Sequence, residues 1–238
     1  TGWDNIDMMA DADPLYVGRG GIMGDRAGNF AVQNSDLVLA VGNRLSIRQV
    51  GYNWKTWARE AFVIMVDADS EELKKPTLHV ELPIHADAKD FLSALNRRLG
   101  DTVLFPENGW QDTCRNWKAK YPVVLPKHFE DTRNTNVYAF IKKLSSRLPE
   151  GYTTVVGNGS ACVVGSHGYE IKEGQRFIIN SAIASMGYDL PAVIGTCYAI
   201  GGKEIVCITG DGSIQMNLQE LQTILTNQLP VKIFVINN

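Results

Sequence analysis

The strongest constraint on the fold lies near the carboxyl end of the chain. Two short apolar runs, Glu204–Thr209 (EIVCIT) and Val231–Ile236 (VKIFVI), are separated by a segment of helical periodicity, Leu218–Asn227. Near-continuous apolar strands suit a parallel sheet, and a strand–helix–strand connection makes its two strands parallel and neighbouring. Each run ends in a polar cluster: Gly210-Asp211-Gly212 after the first, Asn237-Asn238 after the second. Ligands of open α/β sheets bind beyond the carboxyl ends of the strands. Asp211 and Asn238 are therefore expected at one edge of one sheet.

The same alternation runs through the rest of the chain. Asp36–Val41 (DLVLAV) and Ala61–Val66 (AFVIMV) predict strands covered on both faces. Asp87–Leu99 predicts a helix with Ala88, Phe91, Leu92, Leu95 and Leu99 on one face. Asp69 or Ser70 caps a short helix through Lys75, which Pro76 stops. From Gly100 to Arg133 the composition turns polar around Pro106, Pro122 and Pro126, with one helix over Gln111–Lys120. Beyond it, Asn136 caps a helix, Thr153–Val156 and Arg176–Ile179 predict strands, and Pro191–Ile200 predicts a helix. Asn217, with Glu220 three positions on, predicts a capping box for the helix Leu218–Asn227. The fold class is α/β, with two doubly wound parallel-sheet domains: 1–105 central, 106–133 linker, 134–238 second domain. Thr1 is not an initiator methionine, and a buried strand ends two residues before the last residue. We expect a piece of a longer protein, whose second domain continues beyond Asn238.

Charge and cysteine usage narrow the class. Twenty-three basic residues against 26 acidic ones give a net charge of −3, with no basic tract for nucleic acid. The longest apolar stretch, Leu190–Ile200, is far short of a membrane span. Cys114, Cys162, Cys197 and Cys207 form no CxxC pair, and His79, His85, His128 and His167 are dispersed. That pattern is neither a disulfide framework nor a zinc site, and it places the chain in the cytoplasm.

One carboxylate and one amide oxygen, from Asp211 and Asn238, suit magnesium, which completes its octahedron with water and phosphate oxygens. Gly210 and Gly212 let the backbone approach a phosphate, and Ser213 offers a hydroxyl and a helix-start amide. The residues thus predict a magnesium-bridged diphosphate site. The plainer alternative is a turn and a loop end; placement at the same end of consecutive strands favours the site. Gly18, Gly20 and Gly24 are spaced GxGxxxG, either an ordinary glycine loop or a weak dinucleotide signal.

Gly210–Asn238 (GDGSIQMNLQELQTILTNQLPVKIFVINN), with 24 residues between GDG and NN, resembles the thiamine-diphosphate fingerprint. Ser181–Gly195 (SAIASMGYDLPAVIG) resembles the corresponding segment of acetolactate synthases, and Asp189 departs from the small residue found there. Gly18–Gly24 (GRGGIMG), Asp36–Arg48 (DLVLAVGNRLSIR) and Ile64–Lys74 (IMVDADSEELK) resemble that family's central domain. The resemblance implies a thiamine-diphosphate- and Mg2+-dependent enzyme that decarboxylates a 2-keto acid and joins the product to a second carbonyl compound. It implies Asp211 and Asn238 as metal ligands, and Gly210, Gly212 and Ser213 as cofactor contacts. Gly157, Asn158, Gly159 and Ser160 stand at the place of a diphosphate loop. Met186 matches the bulky residue that bends the cofactor, with backbone groups of Ala184 and Met186 at the pyrimidine edge; otherwise it is core filler. Arg48 matches an arginine that handles the acceptor acid, or is a surface residue, since Ile47 replaces the family's aspartate.

The glycine-rich region could line an FAD site, which some relatives have lost. The family's activating glutamate comes from an N-terminal domain of a partner subunit, so a homodimer or homotetramer is expected and the chain alone is not competent. A non-ligating decarboxylase and a silent cofactor-binding paralogue remain alternatives.

Overall fold

In the computed structural model, residues 1–102, 109–131 and 133–237 are described. Two compact units result: Val17–Tyr121, joined by Gly2, and Trp3–Tyr16 together with Thr1 and the chain from Pro122 onward.

The first unit opens with α1 (Arg26–Asn34), whose cap is Asp25. Its carboxylate accepts the Gly28 amide at 2.6 Å and the Arg19 amide at 2.8 Å. Then follow β1 (Leu37–Val41), α2 (Ile47–Val50), β2 (Phe62–Asp67), β3 (Leu82–His85), α3 (Ala88–Leu99) and α4 (Trp110–Lys120). The sheet is parallel throughout, in the order β1-β2-β3. Val38, Ala40, Val63 and Met65 turn one face into a core shared with Leu45, Ala58 and Ala61. The other face leaves Leu37, Phe62 and Leu39 at 54%, 49% and 41% exposure. The cover expected on both faces is therefore incomplete on this one: Phe62 is exposed, whereas Val66, further along the same face of β2, is 1% exposed.

Three local features differ from the sequence reading. Strand β3 was not foreseen, because Pro83 removes a ladder donor; it is tolerated at a sheet edge. The helix expected through Lys75 is a single 3-10 turn, Glu72–Lys74. Asp67 accepts the Asp69 amide and Asp69 accepts the Glu71 amide, so two successive side-chain turns replace helical bonds. Helix α4, from the stretch read as a linker, packs on α1, with Phe30 edge-on to Trp117 at 5.8 Å. Pro106 lies outside the described residues.

The second unit carries α5 (Val137–Arg147), β4 (Thr153–Val156), α6 (Ser160–Gly168), β5 (Arg176–Ile179), α7 (Asp189–Ala199), β6 (Ile205–Gly210), α8 (Asp211–Gln215), α9 (Glu220–Thr226) and β7 (Val231–Ile236). Asn136 caps α5 as expected, accepting the Tyr138 and Ala139 amides. The glycine-containing α6 was not foreseen. The four strands are parallel in the order β5-β4-β6-β7, so β6 and β7 are neighbours as the sequence required.

Alternation along β6 shows why this sheet is doubly wound. Val206 and Ile208 join a core with Val156, Ile141 and Phe177, while Ile205 and Cys207 join another with Val155, Val193 and Cys197. Helices α5 and α6 contribute to the first core and α7 and α9 to the second. Each fully buried aliphatic side chain of this kind contributes about 1.5–3 kcal/mol. The edge strand β5 is blunted by the N-terminal segment, where Asp7 accepts the Phe177 amide and the Arg176 Nε.

Candidate functional site

Topology creates the site. The chain leaves β4 for β5 on one side, then returns past β4 to β6 on the other, so the order reverses between β4 and β6. Loops leaving two such strands diverge, and the crevice between them is the usual ligand position. Here those loops are Gly157–Ser160 and Gly210–Ser213, and the loop after β5 carries Ala184 and Met186.

At the end of β4, the buried Gly157 donates its amide to Ile208 O at 2.8 Å. Asn158 is 8% exposed, and its carbonyl oxygen lies 3.7 Å from where a Cβ on Gly210 would stand. Gly159 takes φ +72° with open space around it, and Ser160 begins α6. The first amides of a helix have no internal partners, so this turn presents donors to an anion.

At the end of β6, Asp211 opens α8 half-buried, and its carboxylate has no hydrogen bond or ion pair among the described residues. Ser213 is 3% exposed, and its Oγ accepts the Gly187 amide at 2.9 Å. Because that bond uses a lone pair, the hydroxyl proton remains free for an acceptor in the crevice. Gly187 O in turn accepts Asn217 Nδ2 at 2.6 Å. Both polar groups of Gly187 are thus tied to the segment following β6. Gly187 has φ +79°, and a Cβ there would stand 2.9 Å from Met216 Cβ.

This tie corrects the capping prediction. Asn217 holds Gly187 instead of capping a helix at Leu218; α9 starts at Glu220, with Gln219 before it. Its consequence is the placement of Met186, which is 48% exposed, belongs to none of the buried cores, and has its Cε 3.1 Å from a Cβ position on Gly212. Met186 is therefore not core filler. Ala184 sits at φ +59°, a left-handed conformation that costs a non-glycine residue energy and clusters at functional loops.

Asn238 lies outside the described residues; Asn237 follows β7 directly. Arg48 belongs to the other unit, half-buried on α2, where its carbonyl accepts the Ile22 amide at 2.8 Å. In the same unit, a Cβ on Gly18 would overlap Asp25 and one on Gly24 would overlap the Arg19 backbone. The loop opens α1 without a strand before it. Packing accounts for these glycines, so they lend FAD no support.

The donor set suits a magnesium–diphosphate pair. Asp211 is a carboxylate without a partner among the described residues, Gly159, Gly210 and Gly212 bring no side chain to the loops, and α6 starts at one of them. No three His, Cys, Asp or Glu side chains converge among the described residues. A cation at Asp211 would accordingly complete its shell from ligand and water oxygens, as magnesium does. Below the crevice, burial and the Asp189 charge push the Cys207 thiol up to about 12, which makes it inert. Sequence reasoning missed the roles of Gly187 and Asn217, because no local pattern records contacts between distant loops.

Residues 1–95 match the central domain of thiamine pyrophosphate enzymes, and residues 157–238 match their C-terminal TPP binding domain. The acetolactate synthase large subunit of Cyanidium caldarium is 34% identical over 230 residues, 95% of this chain and 38% of that protein. Acetolactate synthase isozyme 2 large subunit of Escherichia coli (strain K12) is 32% identical over 233 residues, 94% of this chain and 39% of that protein. The chain thus spans 38–39% of the length of these two curated relatives.

Proposed function

This chain belongs to the thiamine pyrophosphate enzyme family, and we propose that it forms the diphosphate and metal side of a site that decarboxylates a 2-keto acid and joins the product to a second carbonyl compound. The observation that carries the reading is the convergence of three loops at the switch point, with Asp211 unpartnered among the described residues and Met186 lying against Gly212. Thiamine diphosphate, when bound, supplies the carbon centre that adds to the keto group and the electron sink for loss of carbon dioxide.

The residues of this chain hold and shape. Asp211 and Asn238 would hold Mg2+, which would offset the charge of the diphosphate. Amides at Gly159-Ser160 and the free proton of Ser213 bind phosphate oxygens, while Gly157, Asn158, Gly210 and Gly212 keep backbone close to them. Met186 would support the cofactor as an apolar wedge, with the backbone of Ala184 beside it. Arg48 receives the carboxylate of the acceptor as a planar fork. The working protein is a homodimer or homotetramer. It works in the cytoplasm; four buried cysteines outside any disulfide support a reducing compartment. No helix among the described residues is long and apolar enough to cross a membrane.

The test uses the full-length protein with thiamine diphosphate, Mg2+ and carbon-labelled pyruvate, followed by NMR. Acetolactate that appears only with both cofactors is the expected result. Acetaldehyde alone would replace carboligation by simple decarboxylation. Asp211→Ala is expected to lose Mg2+-dependent cofactor binding, and full affinity in that variant would overturn the metal assignment.

A further inference from the structure

Asp189 is fully buried, yet it forms no ion pair among the described residues. A carboxylate in that position is expensive unless hydrogen bonds hold it. It is the first residue of α7, two positions after Gly187, where the third loop of the crevice ends. Its Oδ1 accepts the Leu190 amide at 3.2 Å, at the helix end where the dipole favours an anion. Its Oδ2 accepts the hydroxyl of Thr209, the residue before Gly210-Asp211. The same carboxylate lies against Gly157 at the end of β4, where any Cβ would overlap it. One side chain therefore touches the ends of both strands that flank the reversal.

The Thr209 hydroxyl has a single proton and two acceptors within reach: Asp189 and the Gly210 carbonyl, the latter at 3.2 Å. A buried carboxylate is the stronger acceptor. While Asp189 takes that proton, the peptide joining Gly210 to Asp211 is not drawn toward Thr209.

We propose that Asp189 is a positioning residue that fixes the separation of the β4 and β6 loops and the orientation of the Gly210-Asp211 peptide, so that one diphosphate spans both loops. The inference rests on the function proposed above, but it concerns a residue that need not touch the cofactor. It also explains why Gly157, whose φ lies outside the left-handed region, must still be glycine: the Asp189 carboxylate fills the space.

The experiment measures the dissociation constant of thiamine diphosphate in saturating Mg2+ by calorimetry on the full-length protein, with the melting temperature of the cofactor-free protein alongside. Asp189→Ala is expected to weaken binding by about ten- to a hundredfold, the worth of one buried charge-assisted hydrogen bond. Asp189→Asn keeps an acceptor oxygen and is expected to stay within about threefold of the parent. Thr209→Val should match Asp189→Ala, and the double variant should be no weaker than either single one, because both remove the same bond. Gly157→Ala should weaken binding alone and recover in part with Asp189→Ala. Full additivity of Asp189→Ala and Thr209→Val, or parental affinity in Asp189→Ala, would overturn the role. Should Asp189→Ala fail to fold, Asp189→Asn and Thr209→Val decide: the role requires retention in the first and loss in the second. Asp211→Ala separates the two readings. Loss there with parental affinity in Asp189→Ala removes only the positioning role, whereas no loss in either removes the site.

Discussion

The two sheets use the same kind of parallel strand, but the chain visits them in different orders. In the first unit, β1, β2 and β3 lie side by side as they occur in sequence. In the second, the chain steps from β4 out to β5 and comes back past β4 to β6 and β7. Connections that all progress one way keep the loops in register and open no crevice between strand ends. A reversal splits them and sends helices to both faces. Two consequences follow in the second unit: β4 and β6 are buried on both sides, and the loops after them face each other across a gap. Switch-point crevice and two-sided core thus come from the same reversal, and among the described residues the first unit has no such reversal.

That contrast predicts unequal costs for matched substitutions. Ile208 is fully buried on β6 within one core of the four-stranded sheet. Ile208→Ala is expected to cost about 2–5 kcal/mol, read as accelerated amide exchange across β4 and β6. A loss below about 1 kcal/mol would mean that this sheet is no better filled than the other, and the comparison would fail.

Alkaline and acid titration should separate the units next. Cys207 is pushed from 9.0 to about 12, first by burial and then by the Asp189 charge; Tyr169 rises from 10.0 to about 12 by burial. A folded-state pKa above the unfolded one means that the native state holds the proton longer. This stabilisation is complete below the unfolded pKa and drains away as pH climbs from about 9 toward 12. Exchange in the four-stranded sheet should therefore accelerate over that window, and Cys207→Ala should flatten part of the slope. In the three-stranded unit, Glu72 is held below 4.5 by Lys75 and Arg44, so its contribution is present above that pH and fades on acidification. Equal alkaline sensitivity in both units would contradict the burial difference.

A smaller effect is expected at Asp25, which caps α1 and also accepts the Arg19 amide. Asp25→Ala should destabilise the three-stranded unit by about 1–2 kcal/mol without changing cofactor affinity. A loss of affinity would show that the Gly18–Gly24 loop serves the site after all.

What was legible in the sequence follows the same division. Strands β4 to β7 are visible as short runs rich in apolar residues; in β4, buried on both faces, the run Thr153–Val156 is β-branched throughout. The edge strand β3 hides behind Pro83, which an edge tolerates and a central strand does not. Gly210-Asp211-Gly212 could be read as a site because its chemistry is local. The bond from Asn217 to Gly187 could not, since Asn217 reads equally well as a helix cap, and only the fold brings a loop from β5 beside it. The Thr209–Asp189 bond is hidden for the same reason.

The smallest expected effect tests the contrast most directly. Leu39 lies on the outward face of β1 at 41% exposure, between the inward-facing Val38 and Ala40. A side chain that already meets water gives up little on truncation, so Leu39→Ala should change the stability of the three-stranded unit by no more than about 0.5 kcal/mol. The matched inward change, Val63→Ala, removes two methyl groups from a 4%-exposed position and should cost several times more. The ratio of the two losses, measured by amide exchange in β1 and β2 of the full-length protein, reports how one-sided this sheet is. Comparable losses would mean that the outward face is covered in the working protein, and that the two sheets differ in strand order alone.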